Sequence, residues 1–331
     1  MRYVLRIGIL GVTASLRAND GAFESFVAEN YGRFCAEGRQ GDEADAEISV
    51  EFAAAGSRRE SEWFDRARGE NPDRIGTGVW QGSNSVLYVY SPYCAAAQRR
   101  GDGIVVRALF QMTKRFRLLR RSSSPEVAEH YQALMRLAVH FPMFHLLQDR
   151  GYSVLHASLA SRGDEGVLFM GLNGSGKTTA ALSLAPEMTL AADNFALFDG
   201  SRAFGYPELI RVSPETAESL HLEVGGELVY GKAQIRSSGS SHSGSVPRLC
   251  VITRIGNENR WERVAREEAV RYLDAGDRFT HENHLYSYLA FLGSGGHVAK
   301  YPECEYFAAT MCGQEGARGM IRRKVGEILG L

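Results

Sequence analysis

The 331-residue chain is poor in the features that mark several classes of protein. It has five cysteines but no Cys-x-x-Cys pair, so we expect reduced thiols and a cytoplasmic protein, with neither a disulfide framework nor a zinc site. No segment reaches the roughly 18 consecutive apolar residues of a membrane-spanning helix, so we expect no membrane span. Its 38 basic and 39 acidic residues give a net charge of −1, which argues against general binding of nucleic acid or other polyanions.

The composition is that of a folded globular protein, with 44% hydrophobic and 23% charged residues. At roughly 150 residues per domain, the length predicts two domains. Residues 1–13 are apolar but interrupted by Arg6, which favours a buried strand over a signal peptide. The patterns that follow predict a helix over 20–33 and strands over 44–53, 85–90 and 103–110. Residues 1–150 are therefore predicted to form an accessory α/β module that ends in a connecting helix.

The connecting helix has a start and a stop signal. Ser123 and Glu126 stand at the spacing of a capping box. The helix is predicted to continue to about residue 149, with Pro142 bending it and Gly151 ending it. Residues 151–331 are then predicted to form the second domain, which carries the chemistry.

The strongest motif is Gly171-Leu-Asn-Gly-Ser-Gly-Lys-Thr-Thr179, which matches the pattern G-x-x-x-x-G-K-[ST] of a phosphate-binding loop. The apolar run 167–170 before it suits a buried strand. Residues 178–185 after it have the composition of a helix, which Pro186 would end. Strand, glycine-rich loop and helix are the context that the motif requires, so we predict that this loop binds a nucleotide.

The residue types in the loop suit the binding of nucleotide phosphates. Glycines let backbone N–H groups converge on phosphate oxygens, and the helix N-terminus adds a partial positive charge. Lys177 would place a point charge on the β and γ phosphates, and Thr178 would offer its hydroxyl to Mg²⁺. The predicted nucleotide-binding residues are Gly171, Asn173, Gly174, Ser175, Gly176, Lys177, Thr178 and Thr179.

Two further residues are candidates for the same site. Asp193 follows the apolar residues 190–192, as expected of a magnesium partner at the end of a neighbouring strand. A strand, an Asp-Gly turn and a second strand are predicted after it. His156 belongs to a predicted strand, 152–161, that comes just before the strand of the loop. Strands that enter one site place their residues beside each other, although a lone histidine is more often structural.

These segments together resemble a known family. Leu155-His156-Ala-Ser, the glycine-rich loop, Ala-Asp193-Asn194 and Phe204-Gly-Tyr-Pro207 are similar to the catalytic domain of HPr kinase/phosphorylase. They are still more similar to stand-alone HPr-kinase-like proteins, including those that phosphorylate lasso-peptide precursors. The resemblance is specific over about residues 155–215. It implies a P-loop kinase fold of the HPr kinase/phosphoenolpyruvate carboxykinase type, with a mixed sheet, and Mg²⁺-dependent phosphoryl transfer to a serine hydroxyl.

The resemblance also implies roles for single residues. His156 takes the position of the family's active-site histidine, and Thr179 stands where the family usually has a glutamate. The family often has two adjacent acids, of which the second is the supposed base, but here Asn194 stands second. An amide cannot accept a proton as a carboxylate can. Either Asp193 both binds Mg²⁺ and accepts the hydroxyl proton, or His156 helps to accept it, or transfer activity has been lost. The predicted catalytic residues are His156, Lys177, Asp193 and Asn194, and the predicted metal ligands are Thr178 and Asp193.

The sequence therefore predicts a kinase that uses ATP, or another nucleoside triphosphate, and Mg²⁺. Its predicted acceptor is a Ser or Thr hydroxyl of a peptide or small protein. A small-molecule kinase and a nucleotide-gated regulator without transfer activity are the alternatives, and homo-oligomerisation is left open. The basic run Lys114–Arg121 and the Gly/Ser-rich loop 237–245 are the predicted docking sites for a peptide.

Overall fold

The computed structural model describes residues 2–31, 44–76, 78–119, 124–206, 208, 210–229, 231–235, 244–276 and 300–331. These residues form a mixed α/β fold whose sheets contain both parallel and antiparallel strands. Of these residues, those up to Arg150 form one compact unit and those from Gly151 form a second. No helix within the described ranges is long and apolar enough to cross a membrane.

An eight-stranded sheet forms the framework of the first unit. Its strands are β1 Arg2–Ile9, β2 Val12–Ala18, β3 Ala46–Ala54, β4 Asp73–Gly76, β5 Val79–Gln81, β6 Ser85–Tyr90, β7 Tyr93–Arg100 and β8 Gly103–Met112. Their spatial order is β1-β2-β3-β8-β7-β6-β5-β4. Strand β3 is parallel to both of its neighbours, and the other pairs are antiparallel. The strands predicted over 44–53, 85–90 and 103–110 are confirmed as β3, β6 and β8.

Helices cover both faces of this sheet. They are α1 Gly21–Tyr31, α2 Arg58–Glu70, α3 Lys114–Leu119, α4 Pro125–Met135 and α5 Phe141–Asp149, with a π-helical turn at Arg136–His140 between the last two. Phe52 of β3 packs edge-on against Tyr131 of α4, whereas the next residue, Ala53, shares a core cluster with Trp63 of α2. Because successive strand residues point to opposite faces, α4 and α2 lie on opposite sides of the sheet.

Two elements of the first unit differ from their predictions. Residues 1–13 do not form one strand, because Leu10 and Gly11 have positive φ angles of 48° and 80° and reverse the chain into the β1–β2 hairpin. The connecting helix has Ser124 as its N-cap, one residue after the predicted Ser123, which lies outside the described residues. Its bend is a π turn, in which the N–H of Phe141 bonds to the carbonyl of Arg136, directly before Pro142.

The second unit contains twelve short or medium strands within its described residues. They are β9 Ser153–Leu155, β10 Ala157–Arg162, β11 Glu165–Met170, β12 Thr189–Ala192, β13 Ala196–Phe198, β14 Ala203–Gly205, β15 Arg211–Val212, β16 Val224–Val229, β17 Lys232–Ile235, β18 Val246–Ile255, β19 Arg260–Val264 and β20 Glu305–Met311. Six of them form the main sheet, in the order β12-β10-β11-β18-β20-β19. The others form two three-stranded sheets, β14-β13-β9 and β15-β17-β16.

Helices pack on both faces of the six-stranded sheet. They are α6 Lys177–Leu182, α7 Pro214–Ser219, α8 Arg266–Gly276 and α9 Gln314–Leu329. The buried residues of β11 alternate between two core clusters. Val167 and Phe169 belong to a cluster that includes residues of α6 and α9, whereas Leu168 and Met170 belong to one that includes residues of α8. The C-terminal helix α9 thus packs on the core of the second unit.

The direction of the strands decides which chain segments meet at one edge of the main sheet. Strand β10 is antiparallel to both β11 and β12, and Ala157 at its start pairs with Met170 at the end of β11. Strands β18 and β20 are parallel to β11. The segments that follow β11, β12 and β18 therefore lie at the same edge as the segment that precedes β10. Residues far apart in the sequence are brought together at this edge.

The segment before β10 differs from its prediction in a way that matters for this edge. The strand predicted over 152–161 is divided at His156 into β9 and β10, which belong to different sheets. The β13–β14 hairpin predicted after Asn194 is confirmed. Helix α6 ends at Leu182, earlier than the predicted residue 185.

Candidate functional site

The glycine-rich loop joins β11 to α6 and has a backbone that requires glycine at defined points. Gly171 has a φ of 145°, and a Cβ there would lie 2.6 Å from the carbonyl oxygen of Thr253. Gly174 and Gly176 have φ angles of 75° and 86°, which side chains rarely adopt. The loop therefore takes a conformation that another sequence could not adopt without strain.

Strand β18 fixes the loop through two hydroxyl groups. The Thr253 hydroxyl donates to the carbonyl oxygen of Met170 at 3.1 Å, and it lies 2.7 Å from the Ser175 hydroxyl. Because Thr253 has only one hydroxyl hydrogen, Ser175 is the donor in that second bond. Both side chains are buried. Ser175 therefore anchors the loop to the sheet from within. Thr253 was missed by the sequence analysis, and its only signal is a polar residue at the end of the apolar run 249–252.

Lys177 is the first residue of α6 and lies inside the loop, with only 7% of its side chain exposed. Its Nζ donates to the carbonyl oxygens of Gly171 at 3.0 Å and Leu172 at 2.9 Å. Burial lowers the pKa of Lys177 to about 8, against the opposite effect of Asp193. The positive charge of Lys232, on β17, contributes to the lowering. The Lys177 ammonium is thus held at the loop and partly desolvated. A bound anion would stabilise its positive charge there.

The structure brings Thr178 and Asp193 into direct contact. Asp193 Oδ1 accepts a hydrogen bond from the Thr178 hydroxyl at 2.7 Å and another from the Ser158 hydroxyl at 2.7 Å. Burial raises the pKa of Asp193 and the charge of Glu208 adds to this, whereas the two hydroxyl donors and Lys232 act in the opposite direction. Ser158, on β10, is a third member of this group; it belongs to the Leu155–Ser158 segment of the family resemblance but was not among the predicted site residues.

Asn194 follows Asp193 and has a positive φ of 72°. Its Nδ2 donates to Glu208 Oε2 at 3.0 Å, and the Glu208 side chain is only 6% exposed. Glu208 was also missed, although it directly follows the Phe204–Pro207 segment that supports the family resemblance. Two adjacent residues after β12 thus hold two hydrogen-bonded groups: Asp193 binds Thr178 and Ser158, and Asn194 binds Glu208.

His156 lies between β9 and β10, half-buried, on the wall of a small cavity of about 30 Å³. Gly171 and Leu172 of the loop line the same cavity, together with Tyr272 of α8 and Tyr301. The ring of His156 also faces Phe195, with centroids 6.5 Å apart. His156 is therefore placed beside the glycine-rich loop, at the edge where the prediction puts it.

The remaining predicted site residues lie in the same segment. Asn173 is exposed at the tip of the loop, and Thr179 is half-buried in the first turn of α6. Within the described residues, no group of three or more His, Cys, Asp or Glu side chains is arranged to hold a metal ion. A metal at this site would take most of its ligands from a bound phosphate and from water.

The predicted docking segments are only partly described. Lys114, Arg115 and Arg117 are exposed on α3, and Arg115 pairs with Glu126 at 2.6 Å. Residues 120–121 and 236–243 lie outside the described residues, so most of the Gly/Ser-rich loop does too. In the basic C-terminal helix, Arg322 pairs with Glu187 of the same unit.

No protein-family model matches the chain, and a search of the curated proteins finds no match. Function is therefore inferred from the side chains that meet at the edge of the main sheet.

Proposed function

We propose that this protein is an ATP- and Mg²⁺-dependent kinase that transfers the γ-phosphoryl group to a Ser or Thr hydroxyl of a peptide or small protein, with a P-loop kinase fold of the HPr kinase type. One observation carries the proposal. The hydroxyl that follows the loop lysine lies 2.7 Å from a carboxylate at the end of another strand of the same sheet. A glycine turn before a core helix gives no reason for that pairing.

The residues present fit a nucleotide with Mg²⁺. Two oxygens bound side by side to Mg²⁺ at about 2.1 Å lie roughly 3 Å apart in octahedral geometry. Thr178 Oγ1 and Asp193 Oδ1 lie 2.7 Å apart, and both are hard oxygen ligands of the kind that Mg²⁺ prefers. When bound, the ion would neutralise charge that develops on the phosphate oxygens. The loop amides and Lys177 would hold the phosphates themselves.

In the transfer step, the acceptor oxygen forms a bond to the γ-phosphorus while the bond from that phosphorus to the bridging oxygen breaks, and ADP leaves. The hydroxyl proton passes to Asp193 or to His156. Burial raises the pKa of Asp193, which makes its carboxylate a better proton acceptor than an exposed one. Lys177, with a pKa of about 8, is mostly protonated at neutral pH and stabilises the negative charge of the transferred group.

The exposure of the glycine-rich loop is compatible with a peptide as the acceptor. Asn173 at the tip of the loop is open to solvent, so a hydroxyl on a side chain can approach the loop from outside. A nucleotide-gated regulator is the second candidate, because Asn194 stands in place of an acid.

The proposal is tested with purified protein, radiolabelled ATP, Mg²⁺ and synthetic serine- and threonine-containing peptides with acidic flanks. Mass spectrometry should find one added phosphate on one hydroxyl. Lys177→Ala should lower transfer by about 10²–10³-fold or more, whereas Arg323→Ala, at an exposed position of α9, should not. Near wild-type turnover in Lys177→Ala would contradict the site assignment. Tight ATP binding without transfer to any acceptor would favour the regulator.

A further inference from the structure

Two cysteines of the second unit lie in contact with each other. Cys250 is on β18, and Cys304 directly precedes β20, the neighbouring strand of the main sheet. Their sulfur atoms are 3.4 Å apart, although their positions differ by 54 in the sequence. Both are free thiols. A disulfide bond of about 2.05 Å would need the two sulfur atoms to approach each other by about 1.4 Å more.

Hydrogen bonds from two elements fix the backbone just before Cys304. Arg266, the first residue of α8, donates from Nε to the carbonyl oxygen of Pro302 at 3.2 Å and from Nη2 to that of Tyr301 at 3.0 Å. The hydroxyl of Tyr306, on β20, donates to the Pro302 carbonyl oxygen at 2.7 Å. The contact between the two thiols is therefore supported by a backbone that is held in place.

The two thiols differ in exposure and in reactivity. Cys250 is completely buried, whereas Cys304 is half-buried. The hydrogen bond with Cys250 lowers the pKa of Cys304, and the positive charge of Arg266 assists, although burial acts in the opposite direction. Burial raises the pKa of Cys250. Because the thiolate is the reactive form of cysteine, Cys304 is the thiol that meets a reagent from solvent first.

We propose that Cys304 and Cys250 form a reversible oxidation site, in which a peroxide oxidises Cys304 and Cys250 then closes a disulfide bond with it. An accessible, reactive thiol beside a second cysteine is the arrangement found in redox-sensing proteins. Within the described residues, no third His, Cys, Asp or Glu side chain is arranged with this pair to hold a metal ion, which distinguishes it from a zinc site. Neither thiol takes part in the proposed phosphoryl transfer, so the two proposals are independent.

The oxidation proceeds in two balanced steps. The Cys304 thiolate sulfur attacks one oxygen of hydrogen peroxide, so an S–O bond forms, the O–O bond breaks and hydroxide leaves, which makes Cys304 a sulfenic acid. The Cys250 sulfur then attacks the Cys304 sulfur. The S–S bond forms, the S–O bond breaks, and the hydroxyl leaves as water with the proton of the Cys250 thiol. Two thiols are oxidised to one disulfide, and one peroxide is reduced to two molecules of water. A dithiol reverses this by thiol–disulfide exchange.

The test maps the disulfide in the full-length chain. Trypsin leaves Cys304 and Cys312 on one peptide, 301–318, and Cys250 on another, 249–254, so Cys312→Ser serves as the parent protein. The reduced parent is treated with hydrogen peroxide, its remaining thiols are blocked with iodoacetamide under denaturing conditions, and it is digested without reductant. Mass spectrometry should find the two peptides joined, with two hydrogen atoms fewer than their sum, and dithiothreitol should separate them.

Changes of each cysteine in this parent separate the two roles. Cys304→Ser should leave Cys250 reduced, whereas Cys250→Ser should stop the reaction at a sulfenic acid on Cys304, which dimedone labels. Because Cys250 is completely buried, Cys250→Ala is prepared as well, and thermal melting of the reduced proteins shows which variant is folded. Cys94 is the matched internal control, since burial raises its pKa to about 12. Cys304 should react with peroxide at least about tenfold faster than Cys94.

The outcomes are distinct. A link between peptides 249–254 and 301–318 within one molecule, formed by peroxide and reversed by dithiothreitol, supports the inference. Oxidation of Cys304 to a sulfinic acid with no link to Cys250 would overturn it, as would a link found only between two molecules or a Cys304 that reacts no faster than Cys94. Since nucleotide binding and phosphoryl transfer are measured on the reduced protein, none of these results alters the test of the proposed function.

Discussion

At the scale of the residue, Lys177 shows how the fold changes an ordinary side chain. In water a lysine keeps its proton far above neutral pH. Here burial lowers the pKa of Lys177 to about 8, and the charge of Lys232 assists, although Asp193 opposes the shift. The ammonium donates hydrogen bonds to two loop carbonyls and could also bind an anion at the loop. A bound phosphate would favour the charged form and so bind more tightly when the lysine is protonated.

This gives a prediction for the pH dependence of nucleotide binding. Lys177 is charged below its pKa of about 8 and neutral above it, so affinity should be high near pH 7 and fall by pH 9.5. The loss of a charged hydrogen bond of about 1.5–3 kcal/mol corresponds to roughly a 10- to 100-fold weaker binding. Calorimetric titration with ATP in the presence of EDTA measures this without a metal. Lys177→Arg stays charged throughout and should show a flatter profile. Equal profiles for the two proteins would exclude Lys177 as the cause.

At the scale of the element, the junction of β11, the loop and α6 depends on close contact with β18. The carbonyl oxygen of Thr253 lies close to Gly171. The hydroxyl of Thr253 bonds to both the Ser175 hydroxyl and the Met170 carbonyl. Backbone atoms of a central strand cannot move aside as the end of a flexible side chain can. The loop conformation therefore depends on its neighbour in the sheet as well as on its own glycines.

A pair of glycine substitutions separates these two effects. Gly174→Ala meets no atom within 4 Å and has only the strain of a left-handed φ to bear, about 1–2 kcal/mol. Gly171→Ala should cost more, about 2–4 kcal/mol in the free energy of unfolding, because its Cβ would also meet the Thr253 carbonyl. Denaturant unfolding and ATP titration of both variants measure this. Equal destabilisation would mean that the contact with β18 is relaxed at no cost.

At the scale of the whole molecule, the chain divides into two units, each with its own central sheet and buried clusters. The candidate site lies entirely in the second unit, since every residue that forms it follows Gly151. The core clusters on both faces of the six-stranded sheet are also built from residues of that unit. The first unit supplies none of the residues of this site, so we expect nucleotide binding to depend on the second unit.

Expression of residues 151–331 alone tests this division. The fragment should fold and bind ATP with a dissociation constant within about threefold of that of the full chain, or roughly 0.7 kcal/mol. Circular dichroism and titration with ATP are the measurements, and the same fragment with Lys177→Ala is the control for specific binding. A fragment that fails to fold would show that the second unit requires the first. A folded fragment with much weaker binding would place part of the nucleotide site in residues 1–150.

The sequence by itself determined the local features of this protein. The alternating patterns of β3, β6 and β8, the strand–loop–helix unit around Lys177, and the C-terminal helix all depend on residues close together in the chain. Such features follow from periodicity, capping and the conformational freedom of glycine. The ends of the strands were less well determined. The β1–β2 turn and the division between β9 and β10 at His156 contain no proline and no run of polar residues that would mark them.

The tertiary structure alone decided which distant residues meet. Ser158, Thr253 and Glu208 come from three separate segments, and each contacts a residue that the sequence had already placed in the predicted site. Their positions depend on the antiparallel insertion of β10 between β11 and β12 and on the register of β18 beside β11. Pairing and register are set by long-range packing of the two core clusters. A pattern that spans ten or fifteen residues contains no information about that packing, so these partners could be found only in the folded chain.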